Sequence, residues 1–137
     1  MAEAREPQIS RREARDLDIE IGFLEGLVRR DPAYVEALEL LGDNYTLRGR
    51  AHDSLSIDER LRLLRPQDPN IRFNLACSLA LSGQPERACV ELELALELGF
   101  RDFRTLQRDP DLAGARKHPA YKRVRAKVRE LKTTAGT

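Results

Sequence analysis

The sequence predicts an all-α fold, a solenoid of helical hairpins with about six to seven helices. Three observations predict it. Composition is the first: of 137 residues, 34% are charged, only 5% are aromatic, and there is no Trp. Abundant Leu and Ala, with few β-branched or aromatic residues, favour helix over sheet. The second is periodicity: apolar residues recur at helical spacing, most densely in Asn74–Leu98. The third is a fixed offset: Leu41 and Leu75, Leu47 and Leu81, Gly49 and Gly83, Glu59 and Glu93, Leu64 and Leu98, and Pro32 and Pro66 all lie 34 residues apart. A period of that length with a helix–turn–helix in each unit marks a stacked helical array.

Residues 1–15 are polar, with four Arg and three Glu, and read as a poorly ordered arm or a weak helix. A single domain is expected over 16–132, with 133–137 as a tail. From Asp16 the pattern turns amphipathic, and Leu17, Ile21, Leu24, Leu27 and Val28 share a face. Gly22 and Gly26 sit one turn apart in that helix. Each costs about 1 kcal/mol relative to Ala, which close packing of a neighbouring helix would justify. Asp31-Pro32 ends the helix, because a residue before Pro avoids the helical region.

The second helix buries Tyr34, Leu38, Leu41, Gly42 and Tyr45, and Gly49 stops it. The third spans about Asp53 to Arg65 with Leu55, Leu61 and Leu64 facing in, and Pro66 ends it. The fourth carries Leu75, Ala76, Leu79, Ala80 and Leu81. Ser82-Gly83-Gln84-Pro85 breaks the chain, and the fifth helix buries Ala88, Leu92, Ala95, Leu96 and Leu98. Small residues at Ala76 and Ala88 allow close approach. A short helix follows from Arg101 through Leu106, and Asp109-Pro110-Asp111 caps a turn at Leu112-Ala113. His118-Pro119 opens the last helix, where Pro suits the first turn. Tyr121, Val124, Val128 and Leu131 form a narrow apolar seam along it.

Leu38-Glu39-Leu40-Leu41-Gly42-Asp43-Asn44-Tyr45, with Leu in place of the usual Trp, resembles the first-helix motif of the tetratricopeptide repeat family. Asn74-Leu75-Ala76 and Leu79 resemble the same motif in the next unit. Ala88, Leu92 and Ala95 match second-helix positions, and Pro32 and Pro66 match the closing Pro. Ser54 and Asp58 depart from the pattern, standing where small and bulky apolar residues are usual. The resemblance covers about 17–100, with repeats at about 35–68 and 69–102 after a half repeat. The remainder looks like the C-terminal ending of many bacterial repeat proteins. It implies a right-handed array closed by a capping helix, with charge turned to water.

Chemistry is sparsely represented. The chain lacks a Gly-rich phosphate loop, a Cys pair at metal spacing and paired His on one helix face. His52 and His118 read as surface or capping groups. Asp109-Pro110-Asp111 reads as a capped turn rather than a metal site. Cys77 and Cys89 read as free core thiols in a reducing compartment. No enzymatic role, no cofactor and no metal is expected. There is no apolar run of roughly 18 residues and no signal-like start, so the expected address is the cytoplasm.

The resemblance implies a concave groove lined by the first helix of each hairpin. Carried over by position, its residues are Glu39, Asp43 and Leu47, then Phe73, Asn74, Cys77 and Leu81, then Arg104 and Arg108. Asn74, Arg104 and Arg108 match part of a carboxylate clamp that some relatives use, while Glu39 and Asp43 reverse its charge elsewhere. The expected function is a scaffold or adaptor that binds a peptide or partner protein. Phe73 and Leu81 are its apolar anchor, and the two arginines pair with a carboxylate.

Charge supports an alternative. Net charge is +1, yet residues 113–137 carry eight basic side chains and one acidic. Lys122, Arg125 and Arg129 head a basic patch that could follow nucleic acid or an anionic membrane, both less expected than protein. A third reading is self-association through a Leu17, Ile21 and Leu24 edge on the N-terminal half repeat.

Overall fold

Ser10 starts the first helix. Its hydroxyl accepts from the Glu13 amide at 3.1 Å, and its own amide donates to the Glu13 carboxylate at 3.1 Å. This reciprocal cap satisfies two amides that a helix start leaves open. Helix α1 therefore runs Arg11–Arg30, taking in residues expected to belong to the arm. The structure, a computed structural model, describes residues 9–135. The first eight residues of the expected arm and the last two of the expected tail lie outside that range.

The described residues are all-helical and divide into two compact units, one up to Leu64 and one from Arg65. The first contains α1, α2 (Val35–Leu47) and α3 (Ala51–Leu64). Ile21, Leu24 and Val28 of α1 are buried, and α1 packs on α2. The face expected to be an open edge for self-association is thus the packed face. Gly22 and Gly26 are on the other side: a Cβ on Gly22 would meet nothing within 4 Å, and one on Gly26 only the Arg30 side chain. Neither glycine marks a close helix approach. Gly42 does, since a Cβ there would lie 3.4 Å from Ile57 and Asp58 of α3.

Helix α3 buries Ser54, Ile57, Asp58 and Leu61, which follow i, i+3, i+4 and i+7. Leu64, expected inside, is exposed, and so is Tyr34, which only precedes α2. At Ser54 the stripe runs through a polar residue because the backbone of α2 satisfies it. Ser54 Oγ donates to the Gly42 carbonyl at 3.2 Å and lies 2.7 Å from Thr46 Oγ1. The departure at Ser54 is therefore a hydrogen-bonded helix contact.

The second unit contains α4 (Pro69–Leu81), α5 (Pro85–Glu97), α6 (Phe103–Arg108), a 3-10 turn (Pro110–Leu112), α7 (Ala113–Lys117) and α8 (Tyr121–Ala135). Asp68 caps α4 through the amides of Asn70 and Ile71. Leu75, Ala76 and Leu79 are buried against α5, whose Ala88, Leu92, Ala95 and Leu96 face back. Helix α8 lays Tyr121, Val124 and Val128 on α5 and leaves Lys122, Arg123, Arg125 and Arg129 exposed. Asp109 caps the 3-10 turn by accepting from the Asp111 amide at 3.0 Å.

Each unit closes its hairpin in the same way. In the first, the Gly49 amide donates to Thr46 O and the Arg50 amide to Tyr45 O. In the second, the Gly83 amide donates to Ala80 O and the Gln84 amide to Leu79 O. Gly49 and Gly83 have φ of 80° and 77°, a left-handed turn that only glycine enters without a steric cost. Every donor and acceptor in the second hairpin lies 34 residues after its counterpart in the first.

Candidate functional site

Helix α2 presents Glu39, Asp43 and Leu47 to solvent, spaced 4 apart along one face. Neighbouring atoms shield the Asp43 carboxyl enough to raise its pKa by desolvation, although the residue lies on the surface. Leu47, in the last turn, is 49% exposed. In the second unit, Asn74 of α4 is exposed, Cys77 is partly buried and Leu81 is 38% exposed. Leu47 and Leu81 occupy equivalent places, each two residues before its hairpin glycine.

Phe73 is different. It is only 7% exposed, and its ring stacks on Phe100 with centroids 4.4 Å apart and planes 7° from parallel. Phe100 follows the left-handed Gly99, which turns the chain back over α4 and α5. The expected solvent-facing anchor is thus a core contact. Helical spacing could not reveal this, because Phe100 lies outside the periodic segments.

Arg104 and Arg108 lie on one face of α6 and are exposed. They border an open hollow of about 350 Å³ with Thr105, Asp109 and Pro110. Asp102 caps this helix: its carboxylate accepts from Thr105 Oγ1 at 2.6 Å and from the Thr105 amide at 3.1 Å. Those two bonds hold its pKa below the usual carboxylate range.

A larger cleft, about 420 Å³, opens between α6, α7 and α8. Gln107, Arg116, Tyr121, Arg125, Val128, Arg129 and Lys132 line it. Of the expected basic patch, Arg125 and Arg129 meet here, and Lys122 lies outside. Arg125, Arg129 and Lys132 follow i, i+4 and i+7, so this stripe was visible in the sequence. The contributions of Gln107 and Arg116 were not, because only the fold brings their elements to α8. Arg116 donates to Leu106 O at 3.0 Å and to Asp109 O at 2.7 Å, fastening α7 to the end of α6. Arg125 lies over the Tyr121 ring, 5.0 Å from its centroid. Burial raises the Tyr121 pKa, and Arg116 and Arg125 oppose that shift.

The remaining reactive side chains have structural surroundings. Cys89 is buried with Sγ 3.6 Å from Ala115 O, and burial pushes its thiol pKa up, away from the nucleophilic thiolate. His118 Nδ1 accepts from the Ala120 amide at 3.1 Å and caps the turn into α8. His52 is exposed. Among the described residues, no three His, Cys, Asp or Glu side chains converge to hold a metal, and no helix is long and apolar enough to cross a membrane. No protein-family model matches the chain, and no curated protein matches it.

Proposed function

We propose that this chain is a tetratricopeptide-like scaffold that binds a peptide or partner protein along the first helices of its hairpins. The observation that carries this reading is the matched pair of exposed leucines. Leu47 and Leu81 hold the same place before the same glycine turn, 34 residues apart, and neither joins its unit's core. Large apolar side chains kept at equivalent outward positions suit a repeated contact with a guest chain. The identical hydrogen bonding of the two turns supports reading the hairpins as units of one array. In the first unit Glu39 and Asp43 are acidic surface groups, and in the second Asn74 and Cys77 are neutral while Arg104 and Arg108 are basic. With Phe73 stacked in the core, the leucines take over the anchoring role. Within the second unit, Leu81 and the two arginines suit a guest that carries an apolar residue and a carboxylate.

The test is affinity capture with the whole chain and three variants. Leu47→Asp/Leu81→Asp is expected to lose the captured partners, and Leu63→Asp, on another exposed leucine, is expected to keep them. Arg104→Glu/Arg108→Glu should weaken the same partners by about tenfold or more if a carboxylate is held there. Equal recovery with every variant would sink the reading.

A further inference from the structure

The cleft between α6, α7 and α8 carries positive charge that nothing in its walls neutralises. Its lining contains four cations and no carboxylate. Arg116 spends its hydrogen bonds on the carbonyls of Leu106 and Asp109, which fixes its charge in the wall. The other three are differently placed. Arg125 makes one long bond, 3.4 Å, to the Arg116 carbonyl. Lys132 lies 5.6 Å from the Phe103 ring centroid and makes no ion pair among the described residues. The Arg129 side chain has no hydrogen-bond or ion-pair partner among them.

Like charges at i, i+3 and i, i+4 on one helix repel, so this stripe works against α8. Concave, low-dielectric walls lined by one sign of charge also focus the field into the cleft. The hydroxyl of Tyr121 likewise has no hydrogen-bond partner among the described residues, and Gln107 adds an uncharged donor. Val128 and the Tyr121 ring supply an apolar floor. The volume falls within the range of small-molecule sites and exceeds what a single phosphate fills.

We propose that this cleft binds a small polyphosphate-type anion, with Arg125, Arg129 and Lys132 neutralising it and Gln107 and Tyr121 completing its hydrogen bonds. Three cations without a carboxylate partner among the described residues match a ligand of about three negative charges, and two guanidinium forks suit neighbouring phosphoryl groups. An extended polyanion fits less well. Lys122 and Arg123, equally basic and on the same helix, lie outside the cleft, and no exposed aromatic platform accompanies them. The site lies within the C-terminal unit and is independent of the peptide-binding reading.

Calorimetric titration of the whole chain with inorganic pyrophosphate at about 0.15 M salt tests it. Saturable one-to-one binding is expected, tighter than that of inorganic phosphate. Arg125→Ala/Arg129→Ala should weaken it by about tenfold or more, because two charge-assisted contacts are lost. Lys122→Ala/Arg123→Ala removes the same charge outside the cleft and should change affinity by less than about twofold, since exposed charges are screened at this salt. Circular dichroism checks that both variants remain helical. Should the first unfold, amide shifts of the unmodified chain during titration decide: changes confined to Gln107, Tyr121 and Arg129 support the site. Equal weakening in both variants, shifts spread along Lys122 and Arg123, or no saturable heat would overturn it. So would tighter binding to duplex RNA or anionic vesicles that loss of Lys122 and Arg123 weakens most.

Discussion

Arg72 and Glu91 form the most buried ion pair described in the protein. One guanidinium nitrogen reaches both carboxylate oxygens, at 3.0 and 3.3 Å, and Nε donates to Pro66 O at 3.2 Å. The pair joins α4 to α5 and ties the chain before α4 to the same group. Thirty-four residues earlier stand Leu38 and Ile57, both buried. One hairpin therefore uses an apolar pair where the other uses an ionic one. Removing one partner of a buried pair leaves an uncompensated charge, whereas replacing both with apolar residues is often neutral. Glu91→Leu should destabilise the chain by roughly 3 kcal/mol. Arg72→Leu/Glu91→Ile, copying the first hairpin, should recover most of that loss. Urea unfolding of the three proteins checks it; a double variant as weak as the single would show that the ion pair itself is required. The residues were legible in the sequence as a charge on each of two helices. Their pairing was not, because it joins positions 19 apart across a hairpin.

At the scale of the element, α1 shows how far periodicity reaches. Its inner stripe of Ile21, Leu24 and Val28 was readable, since a 3.6-residue period selects one face whatever the partner is. Its outer face was misread, because a glycine in a helix has no single cause. Gly22 borders a hollow beside Asp18, Glu25, Arg48 and Arg50, where Arg48 pairs with Asp18 at 2.9 Å. Nothing would meet an added methyl group there. Gly22→Ala should therefore stabilise the chain by roughly 1 kcal/mol, the helix-propensity difference alone. Thermal unfolding reads this as a rise of a few degrees, and a fall would mean that Gly22 serves a contact made with another molecule. The outer face also exposes Ile19 and Phe23.

Across the whole molecule, the response to alkali involves three groups whose pKa values are raised, Tyr45 in the first unit and Cys89 and Tyr121 in the second. The Tyr45 hydroxyl donates to Glu25 at 2.5 Å, and Arg50 covers its ring at 4.6 Å. Burial first, then the Glu25 hydrogen bond and charge, push its pKa up to about 12. The folded chain then keeps a proton that the unfolded chain loses near the ordinary value of 10.0. Stability tied to that proton is fully present below pH 10 and drains away as pH rises toward 12. Tyr45→Phe should flatten this alkaline limb, and absorbance titration should lose its latest-ionising tyrosine. An unchanged limb would place the alkaline weakness elsewhere. Tyr121 and Cys89 shift in the same direction and should contribute to the remaining slope.

The sequence by itself determined the helical class, the hairpin boundaries and the glycine turns. Each of these is local: a period of 3.6 selects a helix face, proline bars continuation, and a left-handed turn selects glycine. Tertiary structure alone decided which of those faces stay open. Phe73 left the expected groove because Phe100 folds over it, and Arg125 and Arg129 gained a cleft because α6 and α7 close its other side. Local pattern tells a side chain which way to point, but burial is set by whatever arrives from distant sequence to cover it.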